Sequence, residues 1–286
     1  MAEVSIILPA YNEAQVIGSV LEGIRAVAPE GDAWEIIVVD DGSDDGTGEA
    51  AAAAGARVVR HPYNKGNGAA VKSGLRAARG AQICLLDADG QHDPGEIGRL
   101  LARLGEYDLI IGARSGGAGG SWTRWFGNWC YNRLASYLSG RRILDVTSGF
   151  RAARLAPMAE FIPLYPNGFS YPITSTLALI KAGYNVDFEP INVSKRVGKS
   201  KIRIFRDGSR FLMIALRIVS LFSPLRIFLP IAFVLLAAGG GYGVWTILDE
   251  SHVTNTSVLL CLSALLVFLI GLVSEQIALM RFERRG

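Results

Sequence analysis

Two apolar stretches near the C-terminus, residues 227–248 and 258–280, constrain this chain more than any other feature. Each is long enough to cross about 30 Å of hydrocarbon as a helix. In lipid, an isolated segment has no other way to satisfy its own backbone donors and acceptors. Half of the 286 residues are hydrophobic, and the excess lies after about residue 204. The pattern therefore predicts a globular domain over 1–200, an interfacial segment over 201–226 and transmembrane helices over 227–248 and 258–280. The loop over 249–257 holds no Lys or Arg, whereas Arg281, Arg284 and Arg285 follow the second stretch. Positive charge is retained on the cytoplasmic side, so the expectation is an integral protein of the cytoplasmic membrane with its domain and C-terminus in the cytoplasm. Glu275 and Gln276, near the cytoplasmic end of the second stretch, are expected to snorkel or to serve helix packing rather than to meet a lipid head group.

Residues 195–226 carry nine Lys or Arg and one acid, Asp207. On a helix, Arg203, Arg206, Arg210 and Arg217 fall on one side, with Phe205, Leu212, Leu216 and Val219 opposite, the pattern of a helix lying on anionic membrane lipid. The net charge of +3 is too small to imply nucleic acid. Cys84, Cys130 and Cys261 stand apart with no metal or redox spacing, as suits a reducing compartment.

The first 200 residues alternate short buried runs with amphipathic stretches. Residues 4–8, 34–39, 58–59, 83–86 and 109–111 read as strands, and Val16, Ile17, Val20, Leu21 and Ile24 recur at helical spacing. That alternation predicts an α/β fold built on a mostly parallel, doubly wound sheet. Ligands bind such sheets outside the carboxyl ends of the strands. Three of the predicted strands end in acidic turns: Glu13 after the first, Asp40 and Asp41 after the second, Asp87 and Asp89 after the fourth. Asp87 and Asp89 would give a hard divalent cation, Mg2+ or Mn2+, two oxygen ligands, and Gln91 could add a neutral one. A glycine-rich stretch over 115–120 leads into an aromatic and basic helix from Trp122 to about Leu138. The second half of the domain, where an acceptor would be met, runs on to a strand-like segment over 184–193. Strand-end carboxylates, a cation, basic residues and membrane anchoring together suggest a nucleoside-diphosphate donor and a lipid acceptor.

Six motifs occur in order: IILPAYNE (6–13), VVDDGSDDGT (38–47), NKGNGAAVKSG (64–74), DADGQ (87–91), TSGFR (147–151) and RVGKSKIR (196–203). This set resembles the family 2 glycosyltransferases, and within them the polyprenol-phosphate hexosyltransferases. The resemblance implies a glycosyltransferase A-type fold, a nucleotide-sugar donor, a polyprenyl phosphate acceptor and Mg2+ or Mn2+. It implies a nucleotide pocket of Pro9, Tyr11, Glu13, Asp40, Asp41, Lys65, Gly66, Asp87 and Ala88, and a cation held by Asp87, Asp89 and Gln91. Asp44 and Asp45 read instead as a solvated turn. Asp89, Arg114 and Arg124 would act on the reacting groups, while Asp145, Ser148, Arg151, Arg196 and Lys201 would meet the acceptor or a phosphate. Asp145 reads equally well as a partner of Arg141 or Arg142. A phosphate acceptor is already anionic and needs no general base, so displacement at C1 with inversion is expected, and His61 and His92 are not expected to be catalytic. GDP-mannose stands slightly ahead of UDP-glucose as donor; homo-oligomerisation stays open.

Rival readings are weaker. Gly198-Lys199-Ser200 ends like a phosphate-binding loop, but Val193 stands where its first glycine should be. A processive polysaccharide synthase would carry Q-x-x-R-W, and here Ser121 precedes Arg124-Trp125. A non-catalytic, membrane-tethered nucleotide-sugar-binding protein, or transfer to another lipid acceptor, remains as the alternative.

Overall fold

A computed structural model describes residues 3–30, 34–114, 122–168, 170–193 and 220–283. The chain divides into two units, residues 1–208 and 209–286.

The first unit is organised on β1 (Val4–Ala10), whose residues are buried on both faces apart from Pro9. A strand flanked on both sides in a parallel sheet needs such an uninterrupted apolar run. β2 (Trp34–Asp40) and β4 (Gln82–Leu85) pair with it in parallel, and β3 (Arg57–Arg60) adds to β2. The sheet order is β3-β2-β1-β4-β6-β5-β7, with β5 spanning Leu109–Arg114, β6 Arg151–Arg154 and β7 Val186–Ile191. β6 runs antiparallel to both β4 and β5, while β5 and β7 are parallel. The sheet is thus mixed, though mostly parallel, as the alternation of runs implied.

β6 has no counterpart among the strands predicted above. Its sequence is Arg-Ala-Ala-Arg, without the β-branched run that marks a buried strand. It is buried all the same, because Ala152 and Ala153 fit between two neighbouring strands and have no exposed surface.

Helix α1 (Ala14–Val27) turns Ile17, Val20, Leu21 and Ile24 onto the sheet. Each such side chain, fully buried, contributes roughly 1.5–3 kcal/mol of transfer free energy. α2 (Thr47–Ala53) and α3 (Asn67–Ala77) cover β2 and β3, and α4 (Ile97–Ala102) follows a 3-10 turn at Pro94–Glu96. That turn starts at Asp93, whose Oδ1 accepts a hydrogen bond from Gly95 N at 2.9 Å, an N-cap with proline at the first helical position. Beyond β5 lie α5 (Trp122–Ser139), α6 (Leu155–Glu160) and α7 (Tyr171–Lys181).

The second unit is a hairpin of α8 (Leu225–Glu250) and α9 (Asn255–Glu283), both long and apolar enough to cross a membrane. Its helices meet through small residues: Ser257 Oγ donates to Gly239 O at 2.7 Å. Close backbone approach and a side-chain hydrogen bond are what holds helices together where lipid offers no hydrophobic drive. Glu275 Oε2 accepts from Leu225 N at 3.0 Å. It therefore caps the neighbouring helix, a packing role as expected. Most of the predicted interfacial segment, residues 201–219, lies outside the described residues.

Candidate active site

The carboxyl ends of β1, β2 and β4 do share one rim. Its first two loops are sewn together by backbone-to-side-chain bonds. Asn12 N donates to Ser43 Oγ at 3.0 Å, Glu13 N to Thr47 Oγ1 at 2.9 Å and Ala14 N to Asp45 Oδ2 at 3.0 Å. The loop after β2 thus satisfies the first free amides of α1, which would otherwise need water. Burial raises the Asp45 pKa, the Thr47 hydroxyl and backbone amides lower it, and the net direction is down. Asp45 is thus part of a turn, as expected, but one built to hold α1.

Asp40 and Asp41, expected in the nucleotide pocket, are buried. Asp40 Oδ1 accepts from Ser43 N, and Arg60 Nε lies 3.5 Å from Oδ2. Asp41 takes Lys65 N at 3.0 Å and Gly66 N at 2.8 Å, and pairs with His61 Nδ1 at 2.6 Å. His61 Nε2 continues the chain to Ser73 Oγ at 2.8 Å. These carboxylates shape the loop over 61–66. Tyr11 is 40% exposed on the rim, and Lys65 is exposed with its Nζ 5.5 Å from the Tyr63 ring centre. Gly42, Ser43, Arg60, His61 and Pro62 line an open hollow of about 320 Å³ here. Pro9 and Glu13 are partly exposed at the same edge.

At the end of β4, Ala88 is buried, while Asp87 and Asp89 keep part of their surface open. Asp89 Oδ1 accepts from Gln91 N at 3.2 Å, which closes the turn that carries Asp87, Asp89 and Gln91. His92 is tucked behind them, with Nε2 3.8 Å from Asp87 Oδ2 and its ring 5.0 Å from that of Phe150. Gly149 backs the same carboxylate: a Cβ there would lie 2.7 Å from Asp87 Oδ2. Only glycine permits that approach. Among the described residues no group of three His, Cys, Asp or Glu gathers. Two carboxylates with an amide oxygen nevertheless fit Mg2+ or Mn2+, which leave several positions to substrate phosphate and water.

Across the rim, Arg114 at the end of β5 forms a two-pronged pair with Asp145, Nε to Oδ2 at 2.6 Å and Nη2 to Oδ1 at 2.9 Å. Nη2 also donates to Thr147 Oγ1 at 2.6 Å. Burial pushes the Asp145 pKa up, but the Arg114 hydrogen bond and charge outweigh it and hold the carboxyl low. Burial lowers the Arg114 pKa, the Asp145 bond and charge raise it, and the net shift is upward, with Asp87 adding to it. Asp145 therefore pairs with Arg114, not with Arg141 or Arg142.

Arg151, expected on the acceptor side, is fully buried, and its guanidinium donates to the carbonyls of Ser148, Val146 and Pro172 and to the hydroxyls of Ser175 and Thr176. Its work is to pin the turn that carries Gly149 and the strand that follows. Ser148 is buried too, and its Oγ has no hydrogen-bond partner among the described residues. The side chain of Arg124, and Arg196 and Lys201 entirely, lie outside what is described. His92, Gly149 and Thr147 are the neighbours of the site that the sequence reading had not given a role. Their signal was present only as position beside DADGQ and within TSGFR.

Glycosyl transferase family 2 matches residues 5–161, and the GtrB C-terminal hairpin matches residues 223–280. The chain is 30% identical over 211 residues to an undecaprenyl-phosphate mannosyltransferase of Micrococcus luteus, covering 68% of this chain and 86% of that protein. It is 31% identical over 186 residues to a dodecaprenyl-phosphate galacturonate synthase of Rhizobium johnstonii, covering 58% of this chain and 54% of that one. The fold resembles glucosyl-3-phosphoglycerate synthase from Mycobacterium tuberculosis, solved with Mn2+, uridine diphosphate and phosphoglyceric acid. The TM-score is 0.63 at 23% identity, over 77% of this chain and 78% of that one. The mixed sheet, the acidic rim and these matches agree, and the chain is a glycosyltransferase of family 2 carrying a GtrB-type C-terminal hairpin.

Proposed function

We propose that the chain transfers one hexose from a nucleotide sugar to a polyprenyl phosphate. The observation that carries this reading is the pairing of two partly open carboxylates, Asp87 and Asp89, with Arg114 on the facing side of one rim. The relatives named above include polyprenyl-phosphate sugar transferases for two different sugars. GDP-mannose is our first donor, with UDP-glucose next.

In this reading Tyr11, Glu13, Lys65, Gly66 and Pro9 border the nucleotide, and Asp40 and Asp41 hold the walls from behind. Asp87, Asp89 and Gln91 would hold Mg2+ or Mn2+, which when bound supplies Lewis-acid stabilisation to the departing diphosphate. An oxygen of the acceptor phosphate attacks C1, the C1–O bond to the nucleoside diphosphate breaks, and its electron pair leaves with the diphosphate. No proton has to move, because the attacking oxygen is already anionic, so alignment and charge stabilisation carry the rate. Arg114, held by Asp145 and Thr147 through Nε and Nη2, would offer its remaining N–H groups to a phosphate. Arg124, Arg196 and Lys201 are further cationic residues for the acceptor side. Single displacement inverts the anomeric centre. The membrane hairpin would keep the domain and the C-terminus in the cytoplasm.

The test is transfer of label from GDP-mannose, and separately UDP-glucose, to undecaprenyl phosphate in detergent with Mg2+ or Mn2+, comparing wild type with Asp89→Ala. Metal-dependent label in the lipid phase that vanishes in Asp89→Ala is the expected result. Nucleotide binding without lipid-phase label from any donor would leave a non-catalytic, nucleotide-sugar-binding role.

A further inference from the structure

Helix α3 begins on two glycines that a distant segment of the chain covers. A Cβ on Gly66 would lie 2.5 Å from Asn167 O, and one on Gly68 would overlap Pro166 O and lie 2.8 Å from Gly168 O. Gly66 also has a φ of +100°, a conformation open to glycine at little cost. Ala69 N donates to Asn167 O at 3.1 Å. One turn further on, Lys72 Nζ donates to Tyr165 O at 3.2 Å and to Asn167 Oδ1. Gly68 and Lys72 stand four residues apart and so share one face of the helix. That face holds the backbone of 165–168.

The first N–H groups of a helix lack partners within it and carry the positive end of its dipole. A glycine-flanked helix start such as NKGNG therefore invites an anion. Here the chain supplies a carbonyl of its own, and the amide of Ala69 is given to Asn167. The segment held in this way is anchored on both sides. Before it, Tyr165 is buried and its hydroxyl donates to Met158 O at 2.9 Å. After it, the first turns of α7 present Pro172 O, Ser175 Oγ and Thr176 Oγ1 to Arg151. Arg151 in turn holds Val146 O and Ser148 O, at 2.9 and 2.7 Å, on the turn that carries Asp145, Thr147 and Gly149. At the other end of the line, Gly66 N is fixed on Asp41. Contacts thus run without a break from the loop over 61–66 to the turn that backs Asp87 and holds Arg114. Close-packed interiors are stiff and pass a displacement on.

We propose that the start of α3 is a dock for the segment 165–168, with Gly68 and Lys72 as positioning residues. Through α7 and Arg151 they set where Asp87 and Arg114 stand relative to a nucleotide on the loop over 61–66. Their part in turnover rests on the transfer reaction proposed above; the dock itself does not.

The experiment compares the full chain in detergent with Gly68→Ala, Lys72→Met, Lys72→Arg and Asn167→Ala. Gly68→Ala and Lys72→Met should each lower kcat by about tenfold or more, with KM for the nucleotide sugar within about twofold of wild type, because the loop keeps its bonds to Asp41. Lys72→Arg, which keeps the charge and the reach, should retain most of kcat. Hydrogen exchange should quicken in 165–168, the first turns of α7 and 145–149, while β1 and β2 keep their protection. Wild-type kcat in both variants overturns the proposal, as does a rise in donor KM alone, which would make the dock part of the nucleotide pocket. Lys72→Arg as poor as Lys72→Met, or exchange quickened equally throughout, would mark a merely structural contact and overturns it too. Should Gly68→Ala not fold, Lys72→Met and Asn167→Ala, which alter side chains at the open edge of the dock, carry the same test. Absence of transfer in wild type with every donor would refute the function alone. Exchange then decides the dock, and an unchanged rate in 165–168 of Lys72→Met overturns it.

Discussion

Gly149 and Asp87 come from opposite halves of the globular unit, yet a single methyl group on Gly149 would lie 2.7 Å from Asp87 Oδ2. The neighbour is a carboxylate in the reacting rim, so Gly149→Ala has to push it away. A misplacement of the order of 1 Å at such a group costs about a hundredfold in rate. Transfer in Gly149→Ala should fall by about that factor with a thermal midpoint within a few degrees of wild type. Unchanged turnover would mean that the Asp87 position is not critical.

The Arg114–Asp145 pair makes a pH prediction. The folded Asp145 carboxyl titrates below its ordinary value of about 3.9. A depressed carboxyl stabilises the fold fully above that ordinary value and stops doing so as pH falls through the folded one. Thermal melts of wild type and Asp145→Asn should therefore differ by a constant amount from pH 7 down to about 5, begin to approach below about 4 and meet only below the depressed folded value. Because Arg114 would lose its orientation, Asp145→Asn should also weaken acceptor use at pH 7.

Arg151 donates to five oxygens of its own chain inside the core. Burial lowers its pKa, and the charges of Tyr171, Asp145, Tyr165 and Asp87 offset that only in part. Removing such a group leaves buried acceptors unsatisfied at about 1–3 kcal/mol each. Arg151→Met should lower stability by about 3 kcal/mol or more in chemical denaturation, and Arg151→Lys should recover only part of it. A stable Arg151→Met with selectively poor acceptor binding would return Arg151 to the acceptor site.

Asp41 gathers Lys65 N, Gly66 N and His61 onto one carboxylate. Asp41→Asn keeps the size but turns one acceptor oxygen into a donor facing donors. The loop over 61–66 should loosen, raising KM for the nucleotide sugar several-fold while KM for the lipid acceptor stays put. Hydrogen exchange at the Lys65 and Gly66 amides would report the loosening directly.

The sequence carried the rim well, because its signal is local: an apolar run followed at once by Asp or Glu can be read residue by residue. α1 followed from the spacing of Ile17, Val20, Leu21 and Ile24, and the two apolar helices from length alone. What escaped depends on partners far along the chain. Arg151 looks like a phosphate ligand until the carbonyl of Pro172 and the hydroxyls of Ser175 and Thr176 are placed around it. Asp40 and Asp41 look like pocket residues until the loop after β3 folds over them. β6 escaped because two alanines between two arginines carry no hydrophobic pattern, and only the gap between β4 and β5 calls for them.

That gap has a consequence for anyone wishing to recombine this protein with its relatives. β6 comes from the later part of the chain, the part proposed to meet the acceptor, but lies between β4 and β5, with Cys84 paired to Ala152 and Ile110 to the same residue. A crossover placed at residue 114, just after β5, would thus exchange an interior strand of the sheet. Chimeras that aim to exchange acceptor preference should be joined after α6, or be confined to loop grafts. The two halves of the site are separable as chemistry but interleaved as architecture.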